Sequence, residues 1–251
     1  MNKELYDIGN VHCVAYIHDT PGYRHSSDTA PCAAPFLLVQ PVDTHDLETL
    51  DNQADVLTGL VGNSFVLAAF KVNIWRNDLS PWNAPAVYGN DTFGAGASST
   101  LNFITEKLIP FMKEKYHLPE NTQIIAGGYS LAALFALWSA YQTNAFDAIA
   151  AASPSVWFRN WTEYAEKNRC LAKFVYLSIG DREAKTGNSI MASVEDRIKK
   201  QQEILVTHNT ACVLEWNRGG HFNEPDIRCA KAFTGCIKAL SEQHFSYGSP
   251  S

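Results

Sequence analysis

Residues 123–135 read QIIAGGYSLAALF, and this stretch decides the fold class. Its first part, Ile124-Ile125-Ala126, is a short apolar run typical of a buried strand, and the Ala- and Leu-rich part from Leu131 onward favours a helix. Between them, Gly127-Gly128 leaves room for a tight turn that carries Ser130. Taken alone, the pattern has two interpretations: a serine nucleophile on a sharp strand-to-helix turn, or a serine that caps a helix.

The same alternation of short apolar runs and longer helix-like segments extends over all 251 residues. It is the pattern of a mainly parallel sheet with helices on both faces, and we predict one α/β domain over residues 1–251. Strands are predicted at Val11–Ile17, Phe36–Val39, Phe65–Val72, Gln123–Ala126, Ala148–Ala152, Phe174–Ile179 and Cys212–Trp216. Helices are predicted at about 46–60, 99–116, 131–143, 159–168, 189–207 and 225–241.

Two loops stand out by composition and length. Residues 20–34 are rich in turn-forming residues and are expected to join early strands at the sheet edge. Residues 73–97 form a segment too long for a simple connection, and we predict an active-site loop insertion there. Its rings are Trp75, Trp82, Tyr88 and Phe93. They are expected either to line an apolar pocket or to pack the loop onto the body of the protein.

Composition and charge exclude several classes of protein. With 46% hydrophobic and 18% charged residues, the chain has the composition of an ordinary globular protein. A net charge of −6 argues against a nucleic-acid or anionic-membrane partner, and the basic stretch Arg197-Ile198-Lys199-Lys200 is interpreted as a solvated helix face. No signal-like or membrane-spanning segment is recognised, so a cytoplasmic location is expected.

The cysteine pattern gives no sign of a metal or redox site. The six cysteines are scattered without a CxxC pair, and we expect them to be reduced and mostly buried. No metal site and no cofactor is predicted.

A serine nucleophile needs a histidine to remove its proton, and the histidine needs a carboxylate to orient it. In an α/β-hydrolase the acid follows the serine and the histidine comes last. The histidines after Ser130 are His208, His221 and His244. His221 follows the predicted strand Cys212–Trp216 through a Gly-Gly turn, which is the placement that a catalytic base requires.

The acid is expected on the loop that follows the strand Phe174–Ile179. That loop begins Gly180-Asp181-Arg182-Glu183 and offers two carboxylates. We favour Glu183 for its spacing from the glycine, and Asp181 stays a competitor because spacing does not decide which one reaches His221.

Acyl transfer also needs two backbone N–H groups directed at the developing oxyanion. One is expected from Leu131, the residue after the serine. The other is expected from the loop after the strand Phe36–Val39, where Asp43 or Thr44 is the candidate by position.

Several segments together carry a family resemblance. They are GGYSLAALFALWSAYQTNAFDAIAAASPSVWF around the serine, with its Ser153-Pro154-Ser155-Val156-Trp157 stretch, YLSIGDRE at the acid loop, LEWNRGGHF at the histidine loop, and LIPFMKEKYHLPE before the nucleophile strand. From about residue 35 to 240, in consistent order, the sequence resembles the putative esterase family of the α/β-hydrolase superfamily, which includes enterochelin esterase-like enzymes, esterase D and the antigen 85 acyltransferases.

This resemblance implies an α/β-hydrolase fold in which Ser130 attacks a small-molecule ester, His221 is the base, and Glu183 or Asp181 is the acid. Ala132 departs from the family pattern, which has glycine two residues after the serine. In the short N-terminal part no separate binding domain like that of larger siderophore esterases is recognised, so a siderophore substrate is not predicted.

Three functions are compatible with the sequence. The leading one is a serine hydrolase that cleaves carboxylic esters through an acyl-enzyme, and an acyltransferase would use the same residues. A non-catalytic binding protein on the same scaffold is disfavoured by the ordered serine, acid and histidine. The candidate substrate-binding residues are Trp75, Trp82, Tyr129 and Trp157.

Overall fold

The structure, a computed structural model, describes residues 1–18 and 36–245, with side chains to residue 242, and is built around one eight-stranded sheet. The strands are β1 (Asn2–Ile8), β2 (Val11–His18), β3 (Phe36–Val42), β4 (Phe65–Lys71), β5 (Gln123–Tyr129), β6 (Ala148–Ala152), β7 (Phe174–Gly180) and β8 (Ala211–Asn217). Their order in the sheet is β1-β2-β4-β3-β5-β6-β7-β8. β2 pairs antiparallel with β1 and β4, and the remaining pairs are parallel. The predicted α/β fold is confirmed.

All seven predicted strands are present, and the structure adds β1 at the edge of the sheet. Most side chains of β1 are exposed, so this strand lacks the apolar run of a buried strand and was not predicted. By contrast, every residue of β3 is buried. The loop predicted at 20–34 lies outside the described residues.

The helices cover both faces of the sheet. They are α1 (Thr44–Leu60), α2 (Trp75–Asp78), α3 (Ala97–Phe103), α4 (Ile109–Lys115), α5 (Leu131–Gln142), α6 (Trp161–Lys167), α7 (Ser189–Ala192), α8 (Val194–Thr207) and α9 (Pro225–Phe245). One buried cluster lies between the sheet and α1 and α9, and the other lies on the opposite face under α3 to α6 and α8.

Two predicted helices are interrupted. A π-helical turn, Ile104–Leu108, joins α3 to α4 within the helix predicted at 99–116. Pro110 follows this turn. Proline has no N–H to donate to the carbonyl four residues earlier, and its ring would clash with that carbonyl, so a wider turn accommodates it. The helix predicted at 189–207 is divided at Ser193 into α7 and α8.

The segment 73–97, predicted as a loop insertion, contains regular secondary structure. It contains α2 and a short antiparallel bridge between Ala84 and Phe93. Asn188 donates to the carbonyl of Val87, which ties this segment to the loop after β7.

The carboxyl ends of the parallel strands meet at one edge of the sheet, and the loops after β5, β7 and β8 lie at that edge. This is where ligands bind in open α/β sheets. Among the described residues, no helix has the length and apolar character needed to cross a membrane.

Candidate active site

The turn between β5 and α5 holds Ser130 in a strained backbone conformation. Its φ of +56° and ψ of −115° lie outside the regions that a residue with a Cβ normally occupies, at a cost of about 1–3 kcal/mol. Two backbone hydrogen bonds hold the turn: Ser130 N donates to Ala152 O at 3.1 Å, and Ser155 N donates to Ser130 O at 3.1 Å. The conformation is therefore fixed by β6 and the segment that follows it.

Ala132, which stands where the family pattern has glycine, is tolerated because Gly128, the residue facing it on β5, has no Cβ. A Cβ added to Gly128 would lie 2.7 Å from the Cβ of Ala132, so the alanine fits because the residue facing it is a glycine. A Cβ on Gly127 would lie 2.7 Å from the ring of Phe233 on the other side of the strand. The tight turn is retained with Ala132 in place.

Ser130, His221 and Glu183 form a continuous chain of hydrogen bonds. Ser130 Oγ lies 3.0 Å from His221 Nε2, and His221 Nδ1 lies 2.8 Å from Glu183 Oε2. The Glu183 side chain is 3% exposed and that of His221 is 20% exposed. The carboxylate is thus enclosed, while the imidazole remains accessible to a substrate.

The Glu183 carboxylate is satisfied on both oxygens. Oε1 accepts from Gly180 N at 2.7 Å, Ser153 Oγ at 2.7 Å and Arg228 Nη1 at 2.9 Å, which leaves Oε2 for His221. Burial raises the pKa of Glu183. The net shift is nevertheless downward, because His221 stabilises the carboxylate by its hydrogen bond and its charge, and Ser153 and Gly180 donate further hydrogen bonds to it. Glu183 is therefore ionised at neutral pH.

Asp181, the competing acid, has a different partner. Its Oδ1 accepts a hydrogen bond from Gly219 N at 2.8 Å, which links the loops after β7 and β8. The structure brings Glu183, and not Asp181, to the imidazole.

The predicted oxyanion donors differ in how their N–H groups are used. Leu131 is the first residue of α5, so its N–H has no acceptor within the helix. Asp43 caps α1 and donates its N–H to Asp46 Oδ2 at 3.2 Å, which leaves Thr44, the first residue of α1, as the better candidate. The parallel register of β3 and β5 ends at the pair Val39 and Ala126, and Asp43 and Ser130 each follow the last residue of their strand. The second donor stays a prediction.

The four candidate substrate-binding rings lie in different surroundings. Tyr129 packs against the His221 ring at 5.2 Å between ring centroids and donates its hydroxyl to the His221 carbonyl at 2.6 Å. Trp157 is 6% exposed, and Trp82 packs on Phe158 while its Nε1 donates to the Arg159 carbonyl at 2.9 Å. Trp75 begins α2 and is partly buried.

Sequence reasoning missed three polar side chains at the site. Ser155 Oγ lies 3.2 Å from Ser130 Oγ, and Ser153 and Arg228 bind Glu183. The two serines belong to the Ser-Pro-Ser stretch that carried the family resemblance, so a signal existed for them. Arg228 had none. Among the residues with described side chains, 1–18 and 36–242, no cluster of His, Cys, Asp or Glu has an arrangement that could hold a metal ion.

Comparisons with known proteins identify the family and the fold of the chain. Residues 70–221 match the model of a family described as "Putative esterase". No curated protein sequence matches this chain. Solved structures with the same fold include siderophore hydrolase EstA from Aspergillus nidulans, with 19% identity, a TM-score of 0.68 and coverage of 96% of this chain and 95% of that one.

Two further structures extend this comparison. BES protein from Bacillus cereus has 16% identity and a TM-score of 0.64, with coverage of 93% of each chain. Enterobactin esterase FES from Shigella flexneri has 10% identity and a TM-score of 0.65, and the match covers 95% of this chain and 59% of that one. At these identities the likeness establishes the fold, and it does not transfer a substrate.

Proposed function

The chain belongs to the putative esterase family and is a carboxylic ester hydrolase, and from this premise we propose that it works through a serine nucleophile, Ser130, and an acyl-enzyme intermediate. The observation that carries the proposal is the chain of hydrogen bonds from Ser130 through His221 to Glu183, at 3.0 and 2.8 Å. It supports the roles of nucleophile, base and acid for these three residues in that order.

The reaction has two steps of the same kind. Ser130 Oγ attacks the ester carbonyl carbon while its proton passes to His221 Nε2, and the carbonyl π electrons move onto the oxygen. The tetrahedral intermediate collapses, the bond to the alcohol breaks, and His221 returns the proton to the leaving oxygen. Water, deprotonated by His221, then attacks the acyl carbon; the bond between that carbon and Ser130 Oγ breaks, His221 returns the proton to Oγ, and the acid leaves.

The structure offers stabilisation for both charges that develop. Ionised Glu183 accepts a hydrogen bond from His221 Nδ1, which holds the tautomer with a free Nε2 lone pair and stabilises the imidazolium. The oxyanion is expected near the N-terminus of α5, where the Leu131 N–H and the helix dipole favour negative charge. The donor from the Asp43–Thr44 region completes the proposed oxyanion site.

The neighbourhood of the site supports a role for apolar groups in substrate recognition. Phe222 follows His221, is 91% exposed and lies 5.3 Å from the imidazole ring. Phe222 therefore presents exposed aromatic surface beside the proposed base, and Trp82 and Phe93 of the segment 73–97 pack against Trp157 and Phe158 in the loop after β6. We propose that this surface binds an apolar or aromatic part of the ester.

The test is hydrolysis of p-nitrophenyl esters by Ser130→Ala and a matched control, Ser139→Ala. Ser139 is a buried serine on α5, the helix that follows Ser130, and its hydroxyl donates to the Phe135 carbonyl. We expect Ser130→Ala to lower kcat by about 10⁶-fold or to the background rate. The control should stay within about tenfold of the wild type, because a single neutral hydrogen bond contributes only about 1 kcal/mol. Undiminished turnover by folded Ser130→Ala would overturn the proposal.

A further inference from the structure

Arg228 lies beneath the active site and carries a buried positive charge. It belongs to the first turns of α9, and its side chain is 2% exposed. Buried arginines are rare unless they are paired, and here Nη1 lies 2.9 Å from Glu183 Oε1. In the described part of the chain its Nε has no hydrogen-bond partner, so the guanidinium binds entirely through its two terminal nitrogens.

Those two nitrogens bind the loop after β7, which carries Glu183, and the loop after β8, which carries His221. Nη1 donates to Glu183 Oε1, to Tyr129 Oη at 3.0 Å and to Ser153 Oγ at 3.3 Å. Nη2 donates to the carbonyls of Arg218 at 3.2 Å and Gly220 at 3.0 Å. One planar group therefore joins the acid loop to the turn immediately before His221.

Tyr129 extends the same network to the histidine itself. Its hydroxyl accepts from Arg228 and donates to the His221 carbonyl at 2.6 Å. Burial raises the pKa of Tyr129, so the phenol stays neutral and keeps this donor. The backbone on both sides of the His221 side chain is thus fixed from below by Arg228, directly or through Tyr129.

The charge of the guanidinium acts on the same pair of residues. Among the described residues, Glu183 is the carboxylate that forms an ion pair with Arg228. The other ionisable groups on the surrounding elements include His221 and Arg218 on the β8 loop, Asp181 and Arg182 on the β7 loop, Tyr129 on β5, Glu224 just before α9, and Asp226 and Cys229 in its first turns. Burial holds the pKa of Cys229 well above its ordinary value, so the thiol adds no charge.

We propose that Arg228 is a positioning residue of the esterase site, one that fixes the His221 turn against Glu183 and disfavours protonation of the Glu183–His221 pair. This proposal rests on the function proposed above. A buried ion pair contributes little net stability, because the loss of hydration offsets the attraction between the charges. Its main effect here is on geometry and on the pH at which the pair takes up a proton.

The test compares Arg228→Lys with Arg228→Met. Methionine removes the charge, so the pair should take up a proton at higher pH, and the acidic midpoint of kcat/KM should rise by about 1 unit. Lysine keeps a charge but lacks the planar fork, so the midpoint should stay in place while kcat falls by about tenfold. KM should change less than about twofold in both variants, because Arg228 does not face the substrate.

Gln201→Leu is the control for lost stability. Gln201 is a buried side chain on α8 that bonds Trp161 and Tyr141 away from the site, so its loss should lower the Tm without moving the pH midpoint. Unchanged kinetics in folded Arg228→Met would overturn the proposal. A second result would also overturn it: an acidic midpoint of kcat/KM that does not move in Arg228→Met, with a loss of kcat no larger than the loss of Tm explains, as in Gln201→Leu.

A pH titration of the wild-type protein tests the proposal without the need for a variant to fold. In a ¹⁵N spectrum, the guanidinium resonances of Arg228 should titrate with the acidic midpoint of kcat/KM, and resonances that stay fixed through it would contradict the proposal. Fluorophosphonate labelling of Ser130 in the same samples separates the two claims. Labelling of the wild type but not of Ser130→Ala upholds the serine mechanism, whatever the Arg228 variants do.

Discussion

Replacement of Glu183 by glutamine should convert the imidazole from an acceptor of the Ser130 proton into a donor. Oε1 of Glu183 accepts three hydrogen bonds, from Gly180 N, Ser153 Oγ and Arg228 Nη1, at 2.7, 2.7 and 2.9 Å. These donors require an acceptor, so the glutamine oxygen must take that place and its NH₂ group must face His221 Nδ1. The imidazole then carries its proton on Nε2, pointing at Ser130 Oγ.

The size of the effect follows from this change of tautomer. The loss of a correctly oriented acid in a serine–histidine–acid site lowers kcat by about 10⁴-fold, and this corresponds to about 5 kcal/mol of transition-state stabilisation. KM should change little, because the carboxylate is enclosed and does not face the substrate. Stability should fall by up to about 3 kcal/mol, since Arg228 keeps a neutral acceptor but loses its counter-ion.

The assay is steady-state hydrolysis of a p-nitrophenyl ester by folded Glu183→Gln, with Asp181→Asn as the matched control. Asp181 accepts from Gly219 N at 2.8 Å, and an asparagine oxygen can accept the same bond. The control should therefore lose no more than about tenfold in kcat, or about 1.4 kcal/mol. Two results would refute the role given to Glu183. One is a kcat of at least a tenth of the wild-type value in Glu183→Gln, and the other is a loss of kcat in Asp181→Asn as large as that in Glu183→Gln.

Three further predictions follow from the same geometry. Gly128→Ala should cost about 1–3 kcal/mol of stability and at least about tenfold in kcat, because the new Cβ would lie 2.7 Å from that of the facing α5 alanine; Gly59→Ala, with open space around it, should be folded and active. Trp75→Ala or Trp82→Ala should raise KM for aromatic esters more than for acetyl esters, and equal KM values across an ester panel would count against the aromatic surface. Because the pKa of Glu183 is lowered in the folded protein, its ionised form stabilises the fold above about pH 4.3, and this contribution is lost as the pH falls. The Tm difference between wild type and Glu183→Gln should therefore shrink from about pH 7 to pH 3. A difference that stays constant over this range would contradict the prediction.

Sequence patterns predicted the parallel part of the sheet because strands buried on both faces are continuous apolar runs. β3 and β6 are of this kind, with every residue buried. The same patterns missed β1, whose side chains are mostly exposed, and did not show the π-helical turn before Pro110. Edge strands and local helix adjustments depend on packing that a linear pattern does not record.

The order of serine, acid and histidine in the sequence predicted where the candidate site would lie, because each residue follows a parallel strand. The choice between Glu183 and Asp181 depends on how one loop turns, and spacing alone does not encode it. Arg228 was not predicted, since an arginine on a helix is expected to face solvent. Its burial becomes evident only when α9 is packed against the loops after β7 and β8.

The most direct test of the account is the site of a covalent adduct. The folded wild type is incubated with a fluorophosphonate, and the labelled residue is located by intact-mass and peptide mass spectrometry. The account predicts one adduct per chain, on the peptide that contains Ser130, with no labelling of Ser130→Ala and labelling of Glu183→Gln slowed by orders of magnitude. An adduct on another residue, or undiminished labelling of Ser130→Ala, would contradict it.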